Sequence, residues 1–226
     1  MGAQFLGTDD GTGGSLMSWL ARALIEPDLA AYRRLELTDS YAWHRAAWQA
    51  FPKLDGQPRP FLSRLDSGPD GFTLLLLSKE HRPERPDWCP EECWAVKSIT
   101  PEFLGHRQYR FDLRANPTRK VLKFDTNGER TKNGRRKPLT RIDEQSEWLR
   151  RKAMESGFNV LEAPEVGFCQ DQVFRKRNGH GVHTGVRFRG VLEVTDQQQF
   201  EEAFYKGIGS AKGFGFGMLL LQPVRI

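Results

Sequence analysis

The stretch RGVLEVTDQQQFEEAFYKGIGSAKGFGFGMLLLQPV, residues 189–224, combines a strand, a helix, a glycine-rich segment and a second strand. Its first six residues end a strand that is rich in Val and Leu. Thr195 or Asp196 can cap the helix that follows, and Gly207 can end it. The apolar run at residues 218–221 predicts the last strand. This element order is the second half of a ferredoxin-like βαββαβ unit.

The first half of such a unit precedes this stretch. HRQYRFDLRANPT (106–118) predicts a strand, and DEQSEWLRRKAMESGF (143–158) predicts a helix whose acidic start and basic end suit the helix dipole. VGFCQDQVFRKRNGHGVHTGVRFRGVLEV (166–194) predicts two long strands around an Asn-Gly turn. Residues 120–141 are basic and rich in loop-forming residues, which indicates an insertion between the first strand and the helix.

A similar order occurs in the N-terminal half. LMSWLARALI (16–25) predicts a strand, and DSYAWHRAAWQAFP (39–52) predicts a helix that Thr38, Asp39 or Ser40 caps and Pro52 ends. PFLSRLDSGPDGFTLLLLSKE (60–80) predicts two strands joined by a Gly-Pro-Asp-Gly turn, and CWAVKSI (93–99) predicts another. One helical stripe carries the apolar residues Trp43, Ala47, Ala50 and Phe51.

The sequence therefore predicts an α+β protein with two tandem ferredoxin-like (RRM-like) βαββαβ domains, residues 16–105 and 106–226. Residues 1–15 are rich in Gly, Thr and Asp, which indicates a flexible leader. No apolar run approaches the roughly 20 residues of a membrane helix, and three cysteines are too few for a disulfide framework. We expect a cytoplasmic protein without a membrane partner.

The two halves differ in charge. Residues 1–105 carry 11 Lys and Arg against 15 Asp and Glu, whereas residues 106–226 carry 23 against 14. A net charge of −4 in the first half and +9 in the second indicates a polyanionic partner for the second half. A solvated basic face is the alternative that charge alone leaves open.

The glycine-rich segment has three interpretations. GIGSAK lacks the third glycine of a dinucleotide-binding loop and follows a helix, and no Gly-Lys-Ser/Thr is present for a phosphate-binding P-loop. KGFGFGML, residues 212–219, matches the first five positions of the RNP1 pattern, but the chain ends where RNP1 would be followed by more elements. A loop that holds a nucleic-acid backbone is favoured, and a turn without a ligand stays open. Its residues would be Gly207, Gly209, Lys212, Gly213, Gly215 and Gly217.

Basic residues of the second half supply candidate RNA contacts. The tip of the long hairpin carries Arg175, Lys176, Arg177, His180 and His183. The first strand and the insertion add Arg114, Arg119, Lys120, Arg135, Arg136 and Lys137. A protruding soluble hairpin whose charges protect its edges is the alternative.

The helix SYAWHRAAW holds the candidate catalytic residues. His44 borders the apolar stripe, with Tyr41 one turn earlier and Arg45 beside it. A histidine, a tyrosine and a cation suffice for RNA cleavage without metal, which needs a base, an acid and positive charge near phosphorus. A packed histidine is the alternative. Cys89, Cys93 and His81 lack a second ligand pair, so we expect no metal and no cofactor.

Four stretches together resemble the CasE family, the CRISPR repeat-processing endoribonucleases of type I-E systems. They are SYAWHRAAWQAFP, YRFDLRANPTRK, WLRRKAMESGF and residues 189–224, and their order and spacing agree from about Leu16 to the C-terminus. The glycine pattern GIG-x-x-K-x-FG-x-G is the most specific of them. The leader and Gly213, where the family often has a small apolar residue, depart from the family pattern.

The resemblance implies two ferredoxin-like domains and metal-independent cleavage at the base of the repeat stem-loop, leaving a 2′,3′-cyclic or 3′ phosphate and a 5′-hydroxyl. It implies that His44 is catalytic with Tyr41 as its partner, and that the hairpin at Arg175–Arg177 binds the stem. Residues 207–217 match the glycine-rich loop of the family. The implied partners are the CRISPR repeat RNA and the backbone subunit of the Cascade complex. A non-catalytic subunit that only binds an RNA hairpin is the alternative.

Overall fold

A computed structural model describes residues 17–26, 37, 39–54, 56–122, 125–129, 134–176 and 179–224. The predicted leader 1–15 and Arg177 lie outside these residues. The chain divides into two compact units, one reaching Gly105 and including Gly213–Gly215, the other formed by His106–Lys212 and Phe216–Ile226. None of the described helices is long and apolar enough to span a membrane.

The first unit is a four-stranded antiparallel sheet with one main helix. Its elements are β1 (Ser18–Ile25), α1 (Ser40–Trp48), β2 (Phe61–Gly68), β3 (Gly71–Ser78), β4 (Trp94–Ile99) and the short α2 (Pro101–Leu104). The sheet order β2-β3-β1-β4 is the order of a ferredoxin-like sheet. Between β3 and β4 the described chain forms a short link with a 3₁₀ turn at Glu91–Cys93.

Helix α1 forms where the sequence predicts it, because Asp39 caps its first turn. The Asp39 carboxylate accepts hydrogen bonds from the backbone N–H groups of Tyr41 and Ala42, at 3.0 and 2.9 Å. The predicted apolar stripe is buried and packs against the sheet, in a core that includes Ala21, Ala23, Phe61, Leu74 and Leu76. The helix ends at Trp48, before the Pro52 that the sequence suggested.

The second unit repeats the ferredoxin-like order. Its elements are β5 (Gln108–Ala115), β6 (Thr118–Val121), β7 (Arg135–Pro138), α3 (Ile142–Met154), β8 (Phe158–Val160), β9 (Glu165–Lys176), β10 (Gly179–Val194), α4 (Gln197–Lys206) and β11 (Leu219–Pro223). The sheet order is β11-β5-β10-β8, with β9 also paired to β10. Asp196 caps α4 and Gly207 ends it, as predicted.

Strand β10 pairs with three different strands along its length. Its C-terminal residues 192–194 pair with β8, residues 186–193 pair with β5, and residues 179–189 pair with β9. The register shifts between His183 and Gly185, which is a β-bulge. Residues 179–183 therefore form, with β9, a two-stranded extension beyond the part of the sheet that pairs with β5. The predicted Asn-Gly hairpin is confirmed in its strands.

The basic insertion contains more regular structure than the sequence indicated. Strands β6 and β7 form a two-stranded antiparallel sheet of their own. Arg119 pairs with Lys137 and Lys120 pairs with Arg136. The prediction of a loop-rich segment was wrong for these strands, because TRKV and RRKP are too short and too basic to show the apolar alternation by which a strand is predicted.

Candidate functional site

His44 lies on α1 and its imidazole is held by the indole of Trp48, one turn further along the helix. Trp48 Nε1 donates a hydrogen bond to His44 Nε2 over 3.0 Å. Because an indole N–H can only donate, Nε2 carries the lone pair and the neutral ring carries its hydrogen on Nδ1. The structure thus fixes one tautomer of His44.

The surroundings of His44 favour its uncharged form. The ring centroids of Trp48 and Phe61 each lie 6.3 Å from the imidazole. Nδ1 is buried and has no hydrogen-bond partner among the described residues. Burial lowers the pKa of His44 below its usual value, and the positive charge of Arg59 lowers it further. At neutral pH the imidazole is a base with a free proton-accepting site once Trp48 releases it.

Arg59 connects His44 with part of the glycine-rich segment. The guanidinium carbon of Arg59 lies 5.9 Å from the ring centroid of Phe61. A Cβ added to Gly213 would lie 3.5 Å from Arg59 Nη1, an ordinary van der Waals contact. Burial lowers the pKa of Arg59, but a guanidinium stays protonated at neutral pH. These residues all belong to the first unit.

Tyr41 and Arg45 stand together on the exposed side of α1. Tyr41 is 54% exposed, and the guanidinium carbon of Arg45 lies 5.5 Å from its ring centroid. Tyr41 precedes His44 by three residues, so the two side chains share one side of the helix. Helix α1 therefore carries the three residues that the sequence predicted, and the Tyr41 phenol is accessible to a ligand.

The glycine-rich segment is shaped by the fold at several positions. Gly209 has φ +87°, and a Cβ there would lie 2.9 Å from the Trp148 ring. Gly217 has φ +89°, and a Cβ there would lie 2.8 Å from the carbonyl oxygen of Ile208. Gly213 has no such backbone requirement. Both backbone conformation and close packing thus explain part of the glycine pattern.

The same segment excludes the RNP1 interpretation. Residues Lys212–Phe214 form a 3₁₀ turn, and β11 begins only at Leu219. RNP1 aromatics must lie on a strand in order to stack bases.

In the same segment, Gly207 and Gly215 also have positive φ values, of 76° and 85°.

The basic strands β6 and β7 present like charges opposite each other. Arg119, Lys120, Arg136 and Lys137 are exposed. Directly opposite like charges destabilise an isolated strand pair. Arg119 has an ion pair with Glu144 at 3.5 Å, while Arg135 lies opposite Val121. The arrangement concentrates positive charge on a short exposed ladder.

The remaining candidates differ in position. Arg114 is only 6% exposed, so protein covers its side chain where the sequence suggested an RNA contact. In the strand register, Arg175 lies opposite His180 and Lys176 lies opposite Gly179, at the end of the long hairpin. Their strand positions match the prediction.

Sequence reasoning missed three residues around His44. Trp48 could have been found, because residues four apart share one face of a helix. Arg59 lies just before β2 and Phe61 at its start, and both reach His44 only through tertiary packing. The structure describes no group of three or more His, Cys, Asp or Glu that could hold a metal ion.

Comparison with known proteins relates the chain to one family. A family model described as CRISPR associated protein matches residues 18–223. The CRISPR-associated endoribonuclease Cse3 of Thermus thermophilus is 29% identical over an alignment of 223 residues that covers 91% of this chain and 100% of Cse3. The CRISPR system Cascade subunit CasE of Escherichia coli K12 is 30% identical over an alignment of 200 residues that covers 82% of this chain and 93% of CasE. The solved structure of Thermus thermophilus Cse3 bound to an RNA representing a pre-cleavage complex has a TM-score of 0.69 at 28% identity, over 92% of this chain and 100% of that one.

Proposed function

Because the chain belongs to the CRISPR associated protein family, we propose that it is an endoribonuclease that cleaves CRISPR repeat RNA. It cuts at the 3′ base of the repeat stem-loop without a metal ion. The products carry a 2′,3′-cyclic or 3′ phosphate and a 5′-hydroxyl. The observation that carries this proposal is the neutral imidazole of His44, beside the charge of Arg59 and on the same helix as the exposed Tyr41.

His44 acts as the general base. Its Nε2 accepts a hydrogen bond from Trp48 in the free protein. A ribose 2′-hydroxyl can donate a hydrogen bond to the same nitrogen. When the hydroxyl replaces the indole N–H, Nε2 takes its proton while the 2′-oxygen forms a bond to phosphorus. The depressed pKa of His44 supports this role, because the base must be uncharged before the reaction.

Tyr41 protonates the leaving group. As the bond between phosphorus and the 5′-oxygen breaks, the phenol gives its proton to that oxygen. The imidazolium then returns a proton to the phenolate through solvent, which restores both residues. Arg45 lies over the Tyr41 ring, where its charge favours the transient phenolate.

RNA binding is proposed for the basic surfaces of the second unit. The opposed cations of β6 and β7 are relieved of their mutual repulsion when phosphates lie between them. The hairpin of β9 and β10 carries further basic residues to its end. We propose that Lys212 and the glycines at 207–215 contact the RNA backbone, since bare backbone lets phosphates approach closely.

The partners that we propose are of the kind that the names of the relatives give. Cse3 was solved with an RNA that represents a pre-cleavage complex, and CasE is a subunit of Cascade. We propose that this protein keeps its cleaved repeat hairpin and joins a Cascade complex beside a backbone subunit.

A cleavage assay with labelled stem-loop repeat RNA in excess EDTA tests this function. We expect one cut at the 3′ base of the stem with the wild type. His44→Ala should lower the single-turnover rate about 10²-fold or more, as for loss of a general base. His81→Ala is the matched control and should cut like the wild type. RNA that is bound but uncut by the wild type would leave a non-catalytic hairpin-binding subunit instead.

A further inference from the structure

We infer that Arg59 is a further catalytic residue, whose guanidinium binds the scissile phosphodiester and stabilises the phosphorane. This inference rests on the proposed cleavage of RNA. It adds a cation to the set of His44, Tyr41 and Arg45 that the sequence indicates.

The position of Arg59 carries the first part of the inference. Phe61 contacts the two groups, with its ring centroid 6.3 Å from that of the His44 imidazole and 5.9 Å from the Arg59 guanidinium carbon. The two polar groups therefore share one apolar ring as a neighbour. A guanidinium held in this way keeps its donors near the base that begins the reaction.

The glycine-rich segment supplies the second part. Arg59 Nη1 lies 3.5 Å from the position that a Cβ of Gly213 would occupy. Gly213 has neither a positive φ nor a tight backbone contact that would require glycine. Bare backbone at Gly213 therefore leaves space beside the guanidinium, of the kind that a phosphate needs in order to approach.

The electrostatics agree with this geometry. The charge of Arg59 is felt at His44, where it lowers the pKa of the imidazole. A charge that acts on the base also acts on a phosphate that the base serves. Arg59 is half-buried, so its field is screened less than that of an exposed arginine.

Guanidinium chemistry suits the phosphorane. The planar fork of an arginine offers parallel N–H donors to two phosphate oxygens. Negative charge grows on those oxygens as the 2′-oxygen attacks, so the same donors bind the transition state more tightly than the substrate. Arg45 is placed differently, because its guanidinium lies over the Tyr41 ring.

Single-turnover cleavage by Arg59→Ala, Arg59→Gln and Arg59→Lys tests the inference, at saturating repeat RNA. Arg82→Ala is the matched control, because Arg82 also stacks on an aromatic ring of the first unit, 5.2 Å from the Trp19 centroid. We expect Arg59→Ala and Arg59→Gln to lower the rate about 10²- to 10³-fold, the usual effect of removing one donor to a developing oxyanion. Arg59→Lys should keep more activity, and Arg82→Ala should match the wild type.

Two further readouts separate catalysis from a structural role. Affinity for a 2′-deoxy RNA that cannot be cleaved should change much less than the rate. Guanidinium ion at a low, non-denaturing concentration should raise the rate of Arg59→Ala, whereas sodium chloride at equal ionic strength should not. If Arg59→Ala melts below the assay temperature, Arg59→Gln and Arg59→Lys decide.

The outcomes are distinguishable from those of the proposed function. A wild type that cuts, with Arg59→Gln cutting within about twofold of it, overturns the role of Arg59 and leaves the proposed function in place. The role of Arg59 is also overturned if Arg82→Ala loses as much rate as Arg59→Gln. The same holds if the rate loss of Arg59→Gln is fully explained by weaker binding of the RNA. A wild type that does not cut overturns the proposed function itself.

Discussion

Replacing Trp48 by Phe removes one hydrogen bond from His44 and leaves an aromatic ring in its place. In the wild type the indole N–H donates to Nε2 of the neutral imidazole over 3.0 Å. A protonated imidazole has no lone pair to accept that bond. The bond therefore stabilises only the neutral form, and Trp48→Phe must raise the pKa of His44.

The size of the effect follows from the strength of one hydrogen bond. A bond between neutral groups contributes about 0.5–1.5 kcal/mol, which corresponds to about a 2- to 13-fold change in the protonation equilibrium. Because His44 of the free protein must be neutral before its Nε2 can exchange the indole N–H for the 2′-hydroxyl, kcat/KM on the acidic side of the pH profile should fall by the same factor. The rate on the alkaline plateau should change little.

A pH series of single-turnover cleavage at sub-saturating RNA, where the rate reports the free protein, measures this shift, and the titration of the His44 ring by NMR measures it in the absence of RNA. Trp43→Phe is the control, because Trp43 is buried on the same helix and its ring packs against Phe72, 5.2 Å between centroids. An acidic limb that stays in place, or that moves equally in Trp43→Phe, would refute the reasoning.

Two predictions concern the second unit and the glycine-rich segment. Gly209→Ala should lower the free energy of unfolding by about 1–3 kcal/mol, because an L residue is strained in the left-handed backbone conformation of Gly209. The clash of the new Cβ with Trp148 should lower it further. Gly213→Ala should leave the melting temperature unchanged. Equal melting of the two variants would contradict this. Arg136→Ala with Lys137→Ala should flatten the dependence of RNA affinity on salt, by about 0.7–0.9 in logarithmic slope for each phosphate that these side chains neutralise in the wild type. An unchanged slope would mean that other residues bind the phosphates.

The fold was predictable because its local signals agree with one another. Asp196 and Gly207 mark both ends of α4 through backbone chemistry that acts over a few residues, and the two long strands of the hairpin form where the sequence predicts them. The family resemblance is confirmed by a match over residues 18–223. The end of α1 was misplaced, since the turn after Trp48 ends the helix before Pro52 can.

The site was predictable only where its residues share one helix. Spacing along α1 places Tyr41 and His44 on one side of the helix, but nothing in the sequence near Arg59 indicates that its charge acts on His44. Arg114 was predicted to contact RNA, but its side chain is almost fully buried. In strand β5 buried residues alternate with partly or fully exposed ones up to Leu113. From Arg114 on, successive residues are all buried, so a basic side chain is almost fully enclosed. Which faces of a strand are covered depends on the elements packed over it.

The two-stranded extension formed by residues 172–176 of β9 and 179–183 of β10 lies apart from the pairing that builds the central sheet. Its ladder hydrogen bonds join β9 to β10, and those residues do not enter the pairing with β5. Residues 179–183 thus pair with β9 and lie outside the segments of β10 that pair with β5 and β8. Under the proposed function, a lineage whose repeat changes sequence can adjust this extension while inheriting an unaltered catalytic helix. The extension is accordingly the segment to exchange between relatives when an enzyme is to be redirected to a new RNA hairpin.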